Sequence, residues 1–279
     1  MPRGRQIFVM RFNITLPAYN EEDRITDCVQ RVLQCVEAQG WNCEVVIAEN
    51  GSMDQTRAIA EELAAECRKD RSRMLDTPVT LRAVHLDQAG RGGALREAWL
   101  ASDADVLSYM DIDLSTDLAH LPELIGTVAE DHADLAIGSR LLPGSQTTRG
   151  WKREFLSRGY NRLLHAALGL QVADAQCGFK AITRRAAQAL LPWVRDDGWF
   201  FDTELLVLAQ RSGWRVAELP VRWVEDTDST VRLLPTVSRD LKGIWRLRRE
   251  LRRDNWPPEA CRAAHHELSP FATANPPGE

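Results

Sequence analysis

Two aspartates separated by a single residue, Asp111 and Asp113, follow the apolar segment 106–110 and could bind a divalent cation. Mg²⁺ and Mn²⁺ favour sites in which a few carboxylates are completed by substrate phosphates and water. Such a pair on its own is more often a solvated turn or a helix cap than a metal site. Its chemistry therefore depends on which other groups the fold brings beside it.

A proline and an aromatic residue, Pro17 and Tyr19, follow the first predicted strand together with Ala18 and Glu21. Proline stiffens the turn, and the tyrosine ring offers a flat apolar face with a polar end, which suits a nucleoside base. The same segment also fits a plain helix start, with Asn20 as cap and acidic residues in the first turn. The two interpretations are compatible.

Polar groups also follow the next two predicted strands. Glu49 and Asn50 offer an acid and an amide suited to hydrogen bonds with a ribose or a base. Arg91 lies in the glycine-rich segment 89–94, and such a segment at a helix start can bind phosphate through backbone N–H groups. It lacks the G-x-G-x-x-G spacing of a dinucleotide fingerprint.

Strands and helices alternate through the first half of the chain. The hydrophobic pattern predicts strands over 12–16, 44–48, 79–86 and 106–110, and helices over 21–39, 54–68 and 92–100. This order is typical of an α/β fold with a helix-covered parallel sheet. Ligands bind such sheets outside the carboxyl ends of the strands, so the polar segments are expected to converge in one crevice.

The second half is more mixed, and it ends in a basic segment. We predict strands over 135–137 and 215–223 and helices over 153–168 and 202–211. Seven basic and two acidic residues lie between 239 and 253, beside an apolar stripe at helical spacing. The predicted organisation is one α/β domain over 1–235, a basic amphipathic helix over 236–255 and a flexible tail over 256–279.

Composition narrows the class of protein. The chain has 279 residues, 44% of them hydrophobic, and a net charge of -5, which argues against a general nucleic-acid binder. The six cysteines have no metal-ligand spacing and are interpreted as reduced thiols of a cytoplasmic protein. No segment approaches the ~18 apolar residues needed to cross a bilayer. Segment 239–253 either lies on the cytoplasmic face of a membrane or packs on the core.

Three motifs in the second half indicate a family: DAQCGFK from Asp174, WFFDTELL from Trp199 and ELPVRW from Glu218. With the earlier motifs, in this order, they resemble the inverting GT-A glycosyltransferases of family 2, and among these the dolichyl- and polyprenyl-phosphate glucosyltransferases and mannosyltransferases. The resemblance implies a single GT-A domain, which is a Rossmann-like mixed sheet with helices on both faces. Asp111 and Asp113 would then hold Mg²⁺ or Mn²⁺.

The resemblance also assigns roles by position. Acceptor binding falls to Arg140, Gln176, Lys180 and Arg222, and catalysis to Asp113, Arg140 and Asp174. Residues expected to bind the nucleotide sugar are Pro17, Ala18, Tyr19, Glu21, Glu49, Asn50, Arg91, Asp111, Ile112 and Asp113. The sequence departs from the family at Glu49–Asn50, where two aspartates are usual, and at Ser115, where mannosyl enzymes often have glutamine.

The expected reaction moves glucose or mannose from a UDP- or GDP-sugar to a polyprenyl phosphate. That acceptor is already anionic at neutral pH and needs no strong base. One alternative is a soluble family 2 enzyme with a hydroxyl acceptor, for which Asp202, Glu204 or Asp174 would take the proton. Another is a non-catalytic nucleotide-sugar-binding module, against which the intact Asp111 and Asp113 pair argues.

Overall fold

The computed structural model describes residues 10–71, 79–148, 150–224, 233–253 and 256–262. The strands are β1 (Arg11–Ala18), β2 (Asn42–Asn50), β3 (Val79–Leu86), β4 (Val106–Met110), β5 (Leu135–Ser139), β6 (Gln146–Thr148), β7 (Phe179–Thr183), β8 (Val216–Pro220) and β9 (Arg222–Val224). The α-helices are α1 (Ile25–Ala38), α2 (Thr56–Arg71), α3 (Arg91–Leu100), α4 (Leu121–Ala129), α5 (Trp151–Leu168), α6 (Arg184–Leu190), α7 (Phe201–Arg211) and α8 (Leu233–Glu250). Short 3₁₀ helices lie at Leu118–His120, directly before α4, and at Leu191–Trp193, directly after α6.

Seven of the described strands form one mixed sheet in the order β3-β2-β1-β4-β7-β5-β8. Strands β1 to β4 are mutually parallel, whereas β7 runs antiparallel to both β4 and β5. Apolar clusters cover both faces: α1, α2 and α4 pack on one, and α3, α5, α6, α7 and α8 on the other. The prediction of a single mixed α/β domain with helices on both faces is confirmed.

The structure differs from the sequence prediction in the second half. Strand β7 was not predicted, because a lysine, Lys180, stands in its five residues and interrupts the apolar pattern. The segment predicted as one strand over 215–223 is two strands, β8 and β9, which belong to different sheets. Pro220 ends β8, and β9 pairs instead with β6.

Parallel pairing brings the polar motifs to one edge, as predicted. Ala18 pairs with Glu49 across β1 and β2, so the loops after these strands begin side by side. The backbone N–H of Asn20 donates to Ser52 Oγ over 3.0 Å, and Asn20 Oδ1 accepts from the Met53 N–H over 2.8 Å. Asn20 has a φ of 55°, a left-handed conformation that asparagine tolerates better than most residues.

Helix α8 packs on the domain through one face and exposes another. Ile244 and Leu247 are buried, and Gly243 lies so close to Phe200 that a side chain there would overlap the phenylalanine ring. Leu241 and Trp245 are 50% and 66% exposed. The apolar stripe predicted for this segment is therefore divided between the core and the surface.

The first residues after α8 also contact the domain. Cys261 is buried, and Trp256 packs against the same apolar cluster as α8. This differs from the flexible tail predicted from residue 256. Residues 263–279 of that segment lie outside the described residues.

Asp240 on α8 is a buried acid whose ionisation is expected to affect stability. Burial, with a contribution from Asp196, raises the pKa of Asp240 to about 6. Since an aspartate in the unfolded chain titrates near 3.9, ionising Asp240 costs stability as the pH rises from about 4 to 6, and the full cost remains above that range. Asp240→Asn is expected to raise the free energy of unfolding by about 1–2 kcal/mol at pH 7.5.

Urea denaturation at pH 4.5 and pH 7.5 measures this effect, and the gain should be smaller at the lower pH. Asp27→Asn, on the exposed side of α1, is the matched control and should change little at either pH. An equal gain from Asp240→Asn at both pH values would contradict the explanation by ionisation.

Candidate functional site

A cavity of about 880 Å³ opens at the edge of the sheet where β1, β2 and β4 end. Eight of the ten residues predicted to bind a nucleotide sugar line it: Pro17, Tyr19, Glu21, Asn50, Arg91, Asp111, Ile112 and Asp113. Ala18 and Glu49 are buried beside it rather than in its lining. The structure thus brings the predicted donor residues together in one place.

The loops after β1 and β2 form one wall of this cavity. Asn50 Nδ2 donates to the Ala18 carbonyl over 2.9 Å, and its Oδ1 accepts from the Gly90 N–H over 3.3 Å. Asn50 therefore ties β1, β2 and the start of α3 together. Tyr19 is 42% exposed, so its ring is available to a ligand.

Glu49 has a different environment from the one predicted. Its carboxylate accepts the Ser52 N–H and lies 3.2 Å from His85 Nδ1. Because the Glu49 carboxylate already contacts Ser52 and His85, it stabilises the loop after β2 from behind the cavity wall. Where the family usually has two aspartates, this chain therefore has Glu49 behind the cavity wall and Asn50 in the wall.

The aspartate pair lies at the end of β4. The Asp111 N–H donates to the Gly178 carbonyl over 3.0 Å, and an Asp113 oxygen accepts the Ser115 N–H over 2.9 Å. Ile112 between them is buried and fixes the segment. The Asp111 side chain is 38% exposed, so both carboxylates face the cavity while their backbone is held.

These carboxylates fit a divalent cation that shares its coordination shell with a ligand. Among the described residues, no group of three or more His, Cys, Asp or Glu side chains comes together as a complete metal site. Two carboxylates beside an open cavity match ions that complete their shell with phosphate oxygens and water. Gly178 is also required, since a Cβ there would overlap the Asp111 carboxylate.

A buried network of charges lies directly behind Asp111. Arg91 donates to Asp202 Oδ2 over 2.7 Å and to Asp111 Oδ1 over 2.9 Å. Lys180 Nζ lies 3.1 Å from Asp202 Oδ1, and the Tyr109 hydroxyl donates to the same oxygen. The Arg91 guanidinium also stacks near the rings of Tyr109 and Trp199, 4.6 and 5.1 Å from their centres. Asp202 thus holds two buried cations and a phenol.

Burial and the neighbouring charged groups determine which side chains of this network are ionised. Burial alone would raise the pKa of Asp202, but Lys180 and Arg91, with hydrogen bonds from Tyr109 and Arg91, hold it below its ordinary value. Burial raises the pKa of Tyr109 well above its ordinary value. Asp202 is therefore a fixed anion and Tyr109 a fixed neutral donor at physiological pH.

Arg140 and Asp174 form a second buried pair. Arg140 Nε and Nη2 donate to the two oxygens of Asp174 over 2.7 and 2.9 Å, and the Arg140 N–H adds a third bond over 3.0 Å. Burial would raise the pKa of Asp174, but Arg140 holds it below its ordinary value. Neither residue lines the cavity, and Arg140 uses its Nε and Nη2 for the pair with Asp174.

The structure separates the residues predicted to bind the acceptor. Lys180 is buried against Asp202, and Gln176 Nε2 donates to Thr203 Oγ1 over 3.1 Å. Arg222 lies on β9, where it pairs with Asp117 over 2.8 Å and is 55% exposed. None of these three lines the cavity, so the structure does not bring the predicted acceptor group together there.

Sequence reasoning missed Tyr109, Trp199 and Arg239 as site residues. Tyr109 stands in a strand of apolar residues and resembles an ordinary core residue. Trp199 and Arg239 line the cavity. In the sequence, Trp199 belongs to a motif that indicates the family, and Arg239 belongs to the basic segment interpreted as a membrane or core helix. The signal for Trp199 was its place in the WFFDTELL motif, two residues before α7 begins. Arg239 had no signal beyond the basic character of its helix.

This combination of fold and site defines a class. A mixed sheet in which two aspartates follow a central strand, beside a cavity lined by the loops of the preceding strands, is the arrangement of the GT-A glycosyltransferases. The sequence model of glycosyl transferase family 2 matches residues 14–191, and the chain belongs to this family.

Relatives agree with this assignment, and a solved structure shares the fold. The chain is 42% identical over 234 residues to glycosyltransferase AglD of Haloferax volcanii, covering 83% of this chain and 35% of that protein. It is 30% identical over 253 residues to the dolichyl-phosphate beta-glucosyltransferase of Drosophila melanogaster, covering 85% and 74%. The fold superposes with a TM-score of 0.60 on glucosyl-3-phosphoglycerate synthase from Mycobacterium tuberculosis, solved with Mn²⁺ and UDP-glucose, at 19% identity and 86% and 79% coverage. The chain therefore spans about a third of the length of AglD.

Proposed function

We propose that this protein transfers glucose from a nucleoside-diphosphate sugar to a polyprenyl phosphate of the dolichyl type, with inversion at the anomeric carbon. The three carboxylates that could act as general bases are buried and paired, and this supports the proposal. Asp174, Asp202 and Glu204 are each 2% exposed or less and each is paired with an arginine. A reaction that needs no protein base fits this site best.

The argument follows from what each acceptor requires. A hydroxyl acceptor must lose its proton to a group within hydrogen-bond reach and with a suitable pKa. The pKa values of Asp174 and Asp202 are both held below the ordinary value, and neither residue lines the cavity. A phosphate monoester has a second pKa near 6 and attacks as an anion without such help. The name of the Drosophila relative specifies this kind of acceptor.

The donor end of the cavity supports a UDP-sugar and a divalent cation. Asp111 and Asp113 would hold Mg²⁺ or Mn²⁺, which when bound neutralises the leaving diphosphate. Tyr19, Pro17 and Asn50 provide the aromatic face, rigid turn and amide expected around a nucleoside. Arg91 keeps Asp111 in position from behind. The neighbouring solved structures contain UDP and Mn²⁺, which favours UDP-glucose over a GDP-sugar as the first donor to test.

Purified protein incubated with UDP-glucose, UDP-galactose, GDP-mannose or GDP-glucose, in Mn²⁺ or Mg²⁺, tests the function. The acceptors are a short polyprenyl phosphate, the corresponding polyprenol and an oligosaccharide mixture. The expected result is transfer of glucose to the phosphate alone, with a β-linked product by NMR. Transfer to the oligosaccharides would establish the hydroxyl-acceptor alternative. Nucleotide-sugar binding without any transfer or hydrolysis would identify a non-catalytic module.

Gly178→Ala tests the cation site without touching a carboxylate. The new methyl group would overlap the Asp111 side chain, so the carboxylate must move away from its present position. We expect the affinity for Mn²⁺ in the presence of UDP to fall by at least about tenfold, measured by electron paramagnetic resonance. Gly159→Ala, on α5 with open space around it, is the control. Unchanged affinity in Gly178→Ala would remove Asp111 from the site.

We further propose that the outer face of α8, together with α5, lies on the cytoplasmic surface of an anionic membrane. Within the described part of the chain, no helix is both long and apolar enough to cross a bilayer. Leu241 and Trp245 on α8 and Phe155 and Leu156 on α5 are all at least half exposed. Lys242 and several arginines on α8 supply the positive charge that attracts anionic headgroups.

Trp245→Glu is expected to reduce sedimentation with liposomes that contain anionic lipid. The reason is that a charge would enter the apolar side of the membrane interface beside Leu241. At 0.1 M salt the bound fraction should fall at least about fivefold, and binding of the unaltered protein should weaken as salt rises. Leu100→Glu, at the end of α3, places the same charge on another surface and should leave binding unchanged. Equal loss in both variants would contradict the proposed surface.

A further inference from the structure

Arg239 is a further cation at the cavity. It stands on α8, and its side chain lines the same cavity as Asp111 and Asp113. The residue is exposed, and its side chain takes part in no hydrogen bond or ion pair with the described residues. A guanidinium beside an open cavity can donate hydrogen bonds to a phosphate group.

The other cations near the site are not available in the same way. Arg91 lies between Asp202 and Asp111 and is only 9% exposed. Arg140 and Lys180 are buried against Asp174 and Asp202, outside the cavity lining. The cavity nevertheless has to receive phosphate groups if the proposed function is right. Of the two remaining arginines in the lining, Arg24 already has an interaction within the protein, whereas the Arg239 side chain has none among the described residues and can bind a phosphate without breaking an ion pair.

The packing of α8 holds Arg239 at this position. Gly243 follows it by four residues, so both lie on the same side of the helix, and Gly243 is pressed against Phe200. Arg246 donates to both oxygens of Glu204 on α7 over 2.6 and 2.8 Å. Trp199, directly before Phe200, is itself part of the cavity wall. The helix is thus fixed near the rim of the cavity by its contacts at Gly243 and Arg246.

We propose that Arg239 binds a phosphate group in the cavity, either that of the lipid acceptor or the diphosphate of the donor. This inference deepens the proposed function, since the same helix carries the exposed Trp245. A protein anchored through the outer face of α8 would hold Arg239 at the rim where a lipid phosphate enters. The helix would then connect the membrane surface with the reacting centre.

Calorimetric titration tests the proposal without requiring turnover. Arg239→Ala, Arg239→Lys and the control Arg57→Ala are each titrated with UDP plus Mn²⁺ and, separately, with a short polyprenyl phosphate. Arg57 lies on α2, is exposed and does not line the cavity, so its replacement removes the same charge at a distant surface. Loss of a charge-assisted phosphate contact should weaken binding by about tenfold to a hundredfold.

Each outcome decides a specific point. Weaker binding of the polyprenyl phosphate alone in Arg239→Ala assigns the residue to the acceptor, and weaker binding of UDP alone assigns it to the donor. Arg239→Lys should keep part of the affinity, because it retains the charge but not the paired donors. Unchanged affinity for both ligands, or an equal loss in Arg57→Ala, would overturn the proposal. Failure of sugar transfer in the unaltered protein would not affect these titrations.

Discussion

Asp202→Asn is expected to lower the free energy of unfolding by about 3–5 kcal/mol, which is the usual cost of leaving a buried charge without its partner. The carboxylate of Asp202 neutralises both Arg91 and Lys180, and all three side chains are less than 10% exposed. Asparagine has nearly the same shape but no charge, so two cations would remain buried. Urea denaturation followed by circular dichroism measures the loss.

A double-mutant cycle separates the charge effect from a packing defect. Lys180→Met removes one of the cations, so the variant that combines it with Asp202→Asn should be more stable than the sum of the single losses predicts. The coupling energy is expected to be about 1–3 kcal/mol. Asp117→Asn, whose ion pair with Arg222 is exposed, is the control and should cost less than about 1 kcal/mol. Strict additivity would show that Asp202 and Lys180 do not depend on each other.

The pH dependence of the same variant distinguishes a structural anion from a general base. Because the pKa of Asp202 is below its ordinary value in the folded protein, its contribution to stability is present above about pH 4 and is lost as the pH falls through the lower, folded value. The stability difference between the unaltered protein and Asp202→Asn should therefore stay constant from pH 5 to 8 and shrink in acid. A base that titrates near neutral pH would give a difference that changes between pH 5 and 8.

The donor side of the site could be predicted because it depends on local sequence and one general rule. Polar residues that directly follow predicted strands are brought to one edge by parallel pairing. Pro17, Asn50 and Asp111 each lie at or next to the end of a strand whose apolar pattern is clear, and all three line the cavity. The strand limits of β3 and β4 agreed to the residue. Nothing about long-range contacts had to be known.

The acceptor side could not be predicted in the same way because its residues are defined by tertiary contacts. Lys180 and Arg140 are polar in sequence, but each is buried against a carboxylate more than 20 residues away along the chain. Arg222 was placed on a single strand that is in fact divided between two sheets. The position of Arg239 depends on how α8 docks against Phe200, and no local pattern encodes that docking.

Asp113→Ala is expected to reduce kcat/KM for sugar transfer by at least about 10²–10³, the scale of losing a group that stabilises charge on the leaving diphosphate. Asp113 lines the cavity beside Asp111, and its carboxylate accepts the Ser115 N–H in the same turn. The loss should therefore come from the cation site. Stability should change by less than about 1 kcal/mol, in contrast with Asp202→Asn.

Binding measurements give this variant a readout that is independent of turnover. Mn²⁺ affinity in the presence of UDP should fall together with activity, and raising the Mn²⁺ concentration should recover part of the rate. Asp23→Ala, an acidic residue that lines the same cavity but lies on the turn before α1, controls for the change in cavity charge. If Asp113→Ala kept both its Mn²⁺ affinity and its activity, the aspartate pair would be a structural turn, which is the commoner role of such a pair taken on its own.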